Sequence, residues 1–251
     1  MSTRRLHLWA GLIVAAYVIP HMLNHAVGLI SLDAMEAMRR AIHVLWLGPL
    51  GELILVGAFL THALLGLWTL AARATLRMPI WKTAQITLGL LIVPLLLNHI
   101  VGTSGVRHLL GFEPSYEYVV AALWIADPVR GLQQAILALV VWGHLCIGLH
   151  VGLRQQTWYR LGQVYIYAAM ALIPVLALLG FAAIGRQLAA TAETDPGFLP
   201  RLFAPIFAPG TADTVAQLKQ IEPACWLVFG LLILSVLVAR IVRHHRRSRI
   251  G

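Results

Sequence analysis

Runs of apolar residues alternate along this chain with shorter polar stretches, and there are six such runs. Each has about the 20 residues that a helix needs to cross the hydrocarbon core of a bilayer. The pattern therefore predicts an all-α integral membrane protein, a single membrane domain with six transmembrane helices. The predicted spans are residues 6–30, 50–72, 83–104, 132–153, 162–186 and 223–243.

Composition supports a membrane protein rather than a soluble one. Of the residues, 59% are hydrophobic and 12% are charged, and mean hydropathy is +0.80. Arg4 and Arg5 precede the first span as they would in a signal peptide, but the span is too long and no cleavage site follows Gly28. We interpret it as a retained helix. Cys146 and Cys225 lie in or beside spans, so no disulfide framework is expected.

The distribution of charge indicates how the chain is oriented. The N-terminal arginines, the short connections 73–82 and 154–160 and the C-terminal basic tail all fall on one side. The 10 acidic residues fall on the other side, on the longer connections or beside them. The positive-inside rule then places both termini in the cytoplasm. The net charge of +9 is explained by orientation and by contact with lipid headgroups, so no nucleic-acid partner is expected.

The connections on the acidic side are long, and long connections in compact proteins are often functional. Residues 36–43 are expected to form a short interfacial helix, and PGFLPRLFAPIFAPG an irregular surface segment. A divalent-metal or ligand site on this surface is one hypothesis, although the spacing of its residues matches no standard metal motif. The candidate residues are His43, His108, Glu113 and Glu117.

A two-helix unit is repeated in the first four spans. VIPHMLNHAVG in the first span matches IVPLLLNHIVG in the third, and THALLGL in the second matches GHLCIGL in the fourth. Such duplication is a common way to build a membrane domain around a site at the repeat interface. The matched positions are Pro20, Asn24, His25 and Gly28 with Pro94, Asn98, His99 and Gly102, and His62 and Gly66 with His144 and Gly148.

The repeated histidines form two pairs at two depths. From the helical rise of about 1.5 Å per residue, His25 and His99 lie in the outer half of the bilayer, and His62 and His144 lie near or below its middle. Intramembrane histidines are costly and tend to be functional, although each can also serve as polar glue between helices. We predict two haems, each with an axial imidazole from both repeats.

Small residues beside these histidines suit a flat macrocycle. Gly28 and Gly102 follow their histidines by three residues, and Gly66 and Gly148 by four, so each lies on the same helical face as its histidine. The absence of a side chain would let a porphyrin approach. Close helix packing is the alternative explanation for the same glycines.

The duplicated PxxxNHxxG motif resembles the diheme cytochrome b membrane subunits of succinate dehydrogenase and quinol:fumarate reductase. The six-span layout is more similar still to the cytochrome b anchors of class III adenylate cyclases in some bacteria. The resemblance implies haem b on His25 and His99 toward the periplasm, and on His62 and His144 toward the cytoplasm. It also implies quinone as electron donor or acceptor and a bacterial inner-membrane location.

Two functions follow from this resemblance. One is a sensor whose quinone-linked redox state, or a periplasmic ligand, regulates a C-terminal cytoplasmic cyclase domain that would follow residue 251 and form a homodimer. The other is a respiratory subunit that passes electrons between quinone and a dehydrogenase partner. A haem-free bundle with structural histidines is the third interpretation. His21 has no counterpart in the second repeat and is left unexplained.

Overall fold

The computed structural model describes residues 2–248, with side chains described for residues 2–243, and this part of the chain is helical without β-strand. The helices are α1 (Thr3–Val27), α2 (Leu32–Trp46), α3 (Pro49–Ala72), α4 (Ile80–Ile100), α5 (Val106–Leu110), α6 (Tyr116–Ala121), α7 (Pro128–Leu153), α8 (Thr157–Leu161), α9 (Gln163–Thr194), α10 (Phe198–Phe203) and α11 (Ala212–Ser248).

Six of these helices are long and apolar enough to cross a membrane, which confirms the predicted number within the described residues. They are α1, α3, α4 with its continuation to Leu110, α7, α9 and α11. Helices α9 and α11 are longer than their predicted spans, because polar residues continue each helix beyond its apolar part. Hydropathy detects the apolar part of a helix and not its polar extension.

Local sequence explains several helix boundaries. The side chains of Ser31, Ser115 and Asp127 accept hydrogen bonds from backbone N–H groups in the first turns of α2, α6 and α7. Gly111 ends α5 with a φ of 64°, a conformation that glycine adopts without a steric penalty. The helical path after α4 widens into a π-helical turn at Val101–Gly105, which begins two residues after His99. Such turns are frequent at functional sites.

The spanning helices form a closed ring in the order α1, α3, α11, α4, α7, α9. Packing is tightest in the pairs α1 with α3 and α4 with α7, which are the two predicted repeats, and where α9 crosses α1. Across the centre of the ring the backbones of the two pairs stay further apart. Helix α9 joins the pairs on one side and α11 joins them on the other. The space between the two repeats therefore lies at the centre of the bundle.

The two ends of the bundle differ. The amino-terminal face, as we call it, carries the start of α1, residues 73–79 and α8, whereas the distal face carries α2, α5, α6 and α10. On the distal face Met35, Tyr116, Val120 and Ile184 form a buried apolar cluster that joins α2 and α6 to α9. PGFLPRLFAPIFAPG is more regular than expected, because it contains α10 and the 3₁₀ turn Ala204–Phe207.

Candidate functional site

Two histidine clusters lie between the helix pairs. The proximal cluster, nearer the amino-terminal face, contains His62 of α3 and His144 of α7, whose ring centroids are 6.0 Å apart with planes at 89°. His62 Nδ1 lies 3.1 Å from the carbonyl oxygen of His7, and His144 Nδ1 lies 3.0 Å from that of Gln85. Because a carbonyl only accepts, each Nδ1 carries the hydrogen, which leaves Nε2 with a lone pair.

A glycine notch receives each of these rings. A Cβ added at Gly11 would lie 2.8 Å from Cε1 of His62, and one added at Gly89 would lie 2.9 Å from Cε1 of His144. Real Cβ atoms essentially never approach that closely. The first helix of each repeat therefore supplies both a carbonyl and, four residues later, a side-chain-free position for the histidine of the second helix.

The second helix of each repeat also has a glycine that lies beneath a side chain of the first helix. A Cβ added at Gly148 would lie 3.3 Å from Nε2 of Gln85, and one at Gly66 would lie 3.9 Å from Nε2 of His7. The amide of Gln85 also approaches His144 Nε2, at 3.4 Å. His7 thus lies over Gly66 in the first repeat, and Gln85 lies over Gly148 in the second.

Sequence comparison of the repeats missed His7 and Gln85. Aligning Pro20 with Pro94 pairs His7 with Trp81, whereas the structure makes Gln85 its counterpart, one helical turn further on. A recurring spacing carries the signal: His or Gln precedes Gly by four residues in α1, α3, α4 and α7. These four pairs are His7 and Gly11, His62 and Gly66, Gln85 and Gly89, and His144 and Gly148.

The distal cluster contains His21, His25 and His99. The ring of His21 lies 4.9 Å from that of His25 and 5.9 Å from that of His99, measured between centroids. Tyr17 stacks on His21 at 5.4 Å. His25 Nδ1 is buried and lacks a hydrogen-bond partner among the described residues. His21, which the repeat did not explain, therefore lies beside both predicted ligands of this cluster.

Tyr116 of α6 closes the distal cluster from the distal face. Its ring meets that of His25 edge to face at 5.4 Å, and its hydroxyl accepts a 3.0 Å hydrogen bond from the buried amide of Asn24. Its backbone N–H donates to the carboxylate of Glu36 on α2. Burial raises the pKa of Tyr116, so its hydroxyl stays protonated at neutral pH. The Asn24 of the repeated motif thus anchors α6, in the connection between α4 and α7, rather than the second helix of its repeat.

The two glycines near the distal cluster differ in their surroundings. Gly28 lies against the backbone of α9, where an added Cβ would be 2.9 Å from the carbonyl oxygen of Gly180. An added Cβ at Gly102 meets nothing within 4 Å. Gly102 therefore has open space beside it, whereas the contacts of Gly28 favour the helix-packing alternative.

The proximal pair offers two imidazoles by which a haem iron would be held. Metal–imidazole bonds are about 2 Å long, so two imidazoles on opposite sides of one metal have ring centroids about 6 Å apart, as His62 and His144 do. Ligating histidines usually donate their other ring N–H to a carbonyl or carboxylate, which both of these rings do. In the distal cluster the orphaned His25 Nδ1 leaves a polar atom for a further partner.

The residues of the hypothetical surface metal site lie in separate places. His43 Nδ1 is 3.1 Å from Glu113, which also binds Arg39, and His108 Nε2 is 2.8 Å from Glu52, which also binds Arg107. Burial, then the charge of Arg39, lowers the pKa of His43.

Glu117 lies apart from both ion-pair networks, beside Arg201 in a surface cavity of about 330 Å³. Among the described residues no group of three or more His, Cys, Asp or Glu is arranged to hold a metal ion.

Comparison with known proteins adds no relative. No family model, no curated protein and no solved structure matches this chain.

Proposed function

We propose that this chain is a diheme cytochrome b membrane domain that acts as a redox-responsive sensor. His62 and His144 would hold one haem b, toward the cytoplasm, and His25 and His99 the other, toward the periplasm. The observation that carries the proposal is the proximal pair: two imidazoles 6.0 Å apart, each with Nδ1 on a backbone carbonyl of its own repeat.

Bound haem supplies reversible one-electron chemistry, and the protein tunes and orients it. The carbonyls of His7 and Gln85 fix the tautomer of the two proximal histidines and so present Nε2 as the ligating atom. The glycine notches at Gly11 and Gly89 fix the position of the rings. Positions fixed before the cofactor binds reduce the ordering that binding requires.

The sensor function is supported by the contacts of α11. At the distal end Glu222 of α11 lies 3.0 Å from Arg130, which also donates to Asn98, the neighbour of His99. At the other end Arg240 of α11 donates to the carbonyls of Leu70 and Arg73, at the end of the helix that carries His62. A change at either cluster would thus act on the carboxyl-terminal helix, which we propose leads to a cytoplasmic adenylate cyclase domain. Quinone is the proposed electron donor or acceptor.

The haem proposal is tested on purified protein from cells that make haem. Reduced-minus-oxidised spectra should show low-spin b bands, with about two haems per chain. His62→Ala and His144→Ala should remove the same haem, and His25→Ala and His99→Ala the other. His150→Ala, which lies outside both clusters, is the matched control and should retain both haems.

A colourless preparation would overturn the haem proposal and leave the histidines with a structural role. Losses that pair His25 with His62 would instead contradict the assignment of ligands across the repeats. The gene sequence beyond residue 251 separates the two functions: a cyclase domain supports the sensor, and co-purification of a dehydrogenase supports the respiratory subunit.

A further inference from the structure

A groove at the amino-terminal face lies outside both histidine clusters. It encloses about 340 Å³ between the start of α4, the end of α7 and the start of α9. Its lining includes Trp81, Ile147, His150, Val151, Arg154 and Tyr167. His150 follows His144 by six residues, which is about 9 Å along the helix, so the groove is a separate site.

Two tyrosine hydroxyls lie beside Nδ1 of His150, which leaves Nε2 as the ring nitrogen without a tyrosine partner. His150 Nδ1 lies 3.1 Å from the hydroxyl of Tyr159 and 3.3 Å from that of Tyr167, and the amide of Gln163 donates to Tyr167. Burial and the neighbouring Tyr167 raise the pKa of Tyr159, so its hydroxyl keeps its proton. A tyrosine hydroxyl can donate as well as accept, and when it donates to Nδ1 the ring hydrogen of His150 lies on Nε2.

The charge at this end of the bundle is of one sign. Residues 73–82 and 154–162 contain five basic residues, Arg73, Arg77, Lys82, Arg154 and Arg160, and no acidic residue. Arg154 is itself one of the residues that line the groove. The groove therefore offers donors and positive charge without a carboxylate among its lining residues.

The remaining walls are apolar and open toward the lipid. Ile147 and Val151 lie one turn apart on α7, and Trp81 and Tyr167, 39% and 41% exposed, flank the opening. Aromatic residues of this kind mark the level where headgroups meet hydrocarbon. Basic pockets between helices at such a level bind acidic headgroups.

We propose that this groove binds one acidic phospholipid, with the phosphate on His150 Nε2 and Arg154 and an acyl chain along Ile147 and Val151. A cation would be repelled, and the trimethylammonium of a zwitterionic phosphatidylcholine would bring a second positive charge to the basic face. The site is independent of haem, so it holds whether or not the histidine clusters bind a cofactor.

The test measures lipid retention by native mass spectrometry, after the full chain is purified from mixed phosphatidylglycerol and phosphatidylcholine. Wild type should retain one phosphatidylglycerol per chain, preferred about tenfold over phosphatidylcholine, whose trimethylammonium is repelled by the basic residues of this face. Arg154→Gln and His150→Phe should lose the preference. Arg160→Gln, which removes a charge of the same face outside the groove lining, should keep it.

Three results would overturn the proposal. Equal losses in Arg154→Gln and Arg160→Gln would show a general attraction to the basic face. Displacement of the lipid by millimolar inorganic phosphate would show a site for a soluble anion. Retention of an added short-chain quinone in place of phosphatidylglycerol, lost in His150→Phe, would show a site for a neutral ring. Since Arg154 is exposed, its substitution leaves the fold intact, which circular dichroism verifies.

Discussion

Backbone atoms position the proximal histidines as much as side chains do. Each ring donates to a carbonyl of the neighbouring helix and lies over a glycine on that helix. A carbonyl cannot change its protonation or rotate away, so the tautomer stays fixed. The spacing of four residues between the carbonyl-bearing residue and the glycine is visible in the sequence. Only the packed helices show that this glycine makes room for the histidine ring.

Alanine at either notch is expected to displace its ring. Gly11→Ala would bring Cβ to 2.8 Å from His62, and Gly89→Ala to 2.9 Å from His144. Each should abolish the proximal haem bands, keep the distal ones, and cost about 1–3 kcal/mol, as overpacking does. Optical spectra and unfolding of the haem-free protein measure the two effects.

The matched control is Gly57→Ala on α3, where an added Cβ meets nothing within 4 Å. It should leave both spectra and stability unchanged. Full retention of the proximal bands in Gly11→Ala would mean that the notch does not position the ring.

At the scale of whole helices, the crossing of α1 and α9 depends on glycine. Gly28 and Gly180 face each other, and an added Cβ at Gly180 would clash with the backbone carbonyl of His25. Since backbone cannot rotate aside as a flexible side chain can, the helices would have to separate. Small residues that let backbones approach are the usual basis of helix association in membranes.

Gly180→Ala is therefore expected to destabilise the bundle by about 1–3 kcal/mol or more. Because α1 carries His21 and His25, the proposed distal haem should be lost before the proposed proximal one. Denaturant titration followed by circular dichroism and by haem absorbance measures both. Gly230→Ala on α11, where an added Cβ meets nothing within 4 Å, is the control; equal stability of the two variants would show that the crossing tolerates a side chain.

Element boundaries show what hydropathy can and cannot predict. The six spanning helices were predicted because a bilayer requires a continuous apolar run of known length. The extension of α9 to Thr194 and the start of α11 at Ala212 were missed. Outside the hydrocarbon, helix ends depend on caps and tertiary contacts rather than on hydropathy.

On the scale of the whole molecule, α11 is fastened at both ends to helices of the two repeats. Arg130 links Glu222 to Asn98 at the distal end, and Arg240 holds the end of α3 at the other. Between these points α11 packs on α3 and α4. Through these contacts, a structural change at the histidine clusters between the repeats would be transmitted to α11.

Glu222→Gln is expected to loosen the distal end of α11. The partly exposed ion pair with Arg130 contributes about 1 kcal/mol, which corresponds to about fivefold in an opening equilibrium. In a Cys146→Ser background, alkylation of Cys225, three residues further along α11, should accelerate by about that factor. Asp213→Asn, in the first turn of the same helix, is the control and should keep the wild-type rate; equal rates in all three proteins would contradict a fastened helix.

The sequence by itself determined the six spans, the two repeats and the repeated histidines, because bilayer thickness and duplication leave their mark on residues close together in the chain. Tertiary structure decided which helices are neighbours, that His7 and Gln85 correspond with a shift of one helical turn, and that Gly28 packs against α9. It also paired His43 and His108 with different carboxylates. These features arise between segments far apart in sequence, where contact depends on how the helices pack and not on the local pattern of hydrophobic residues.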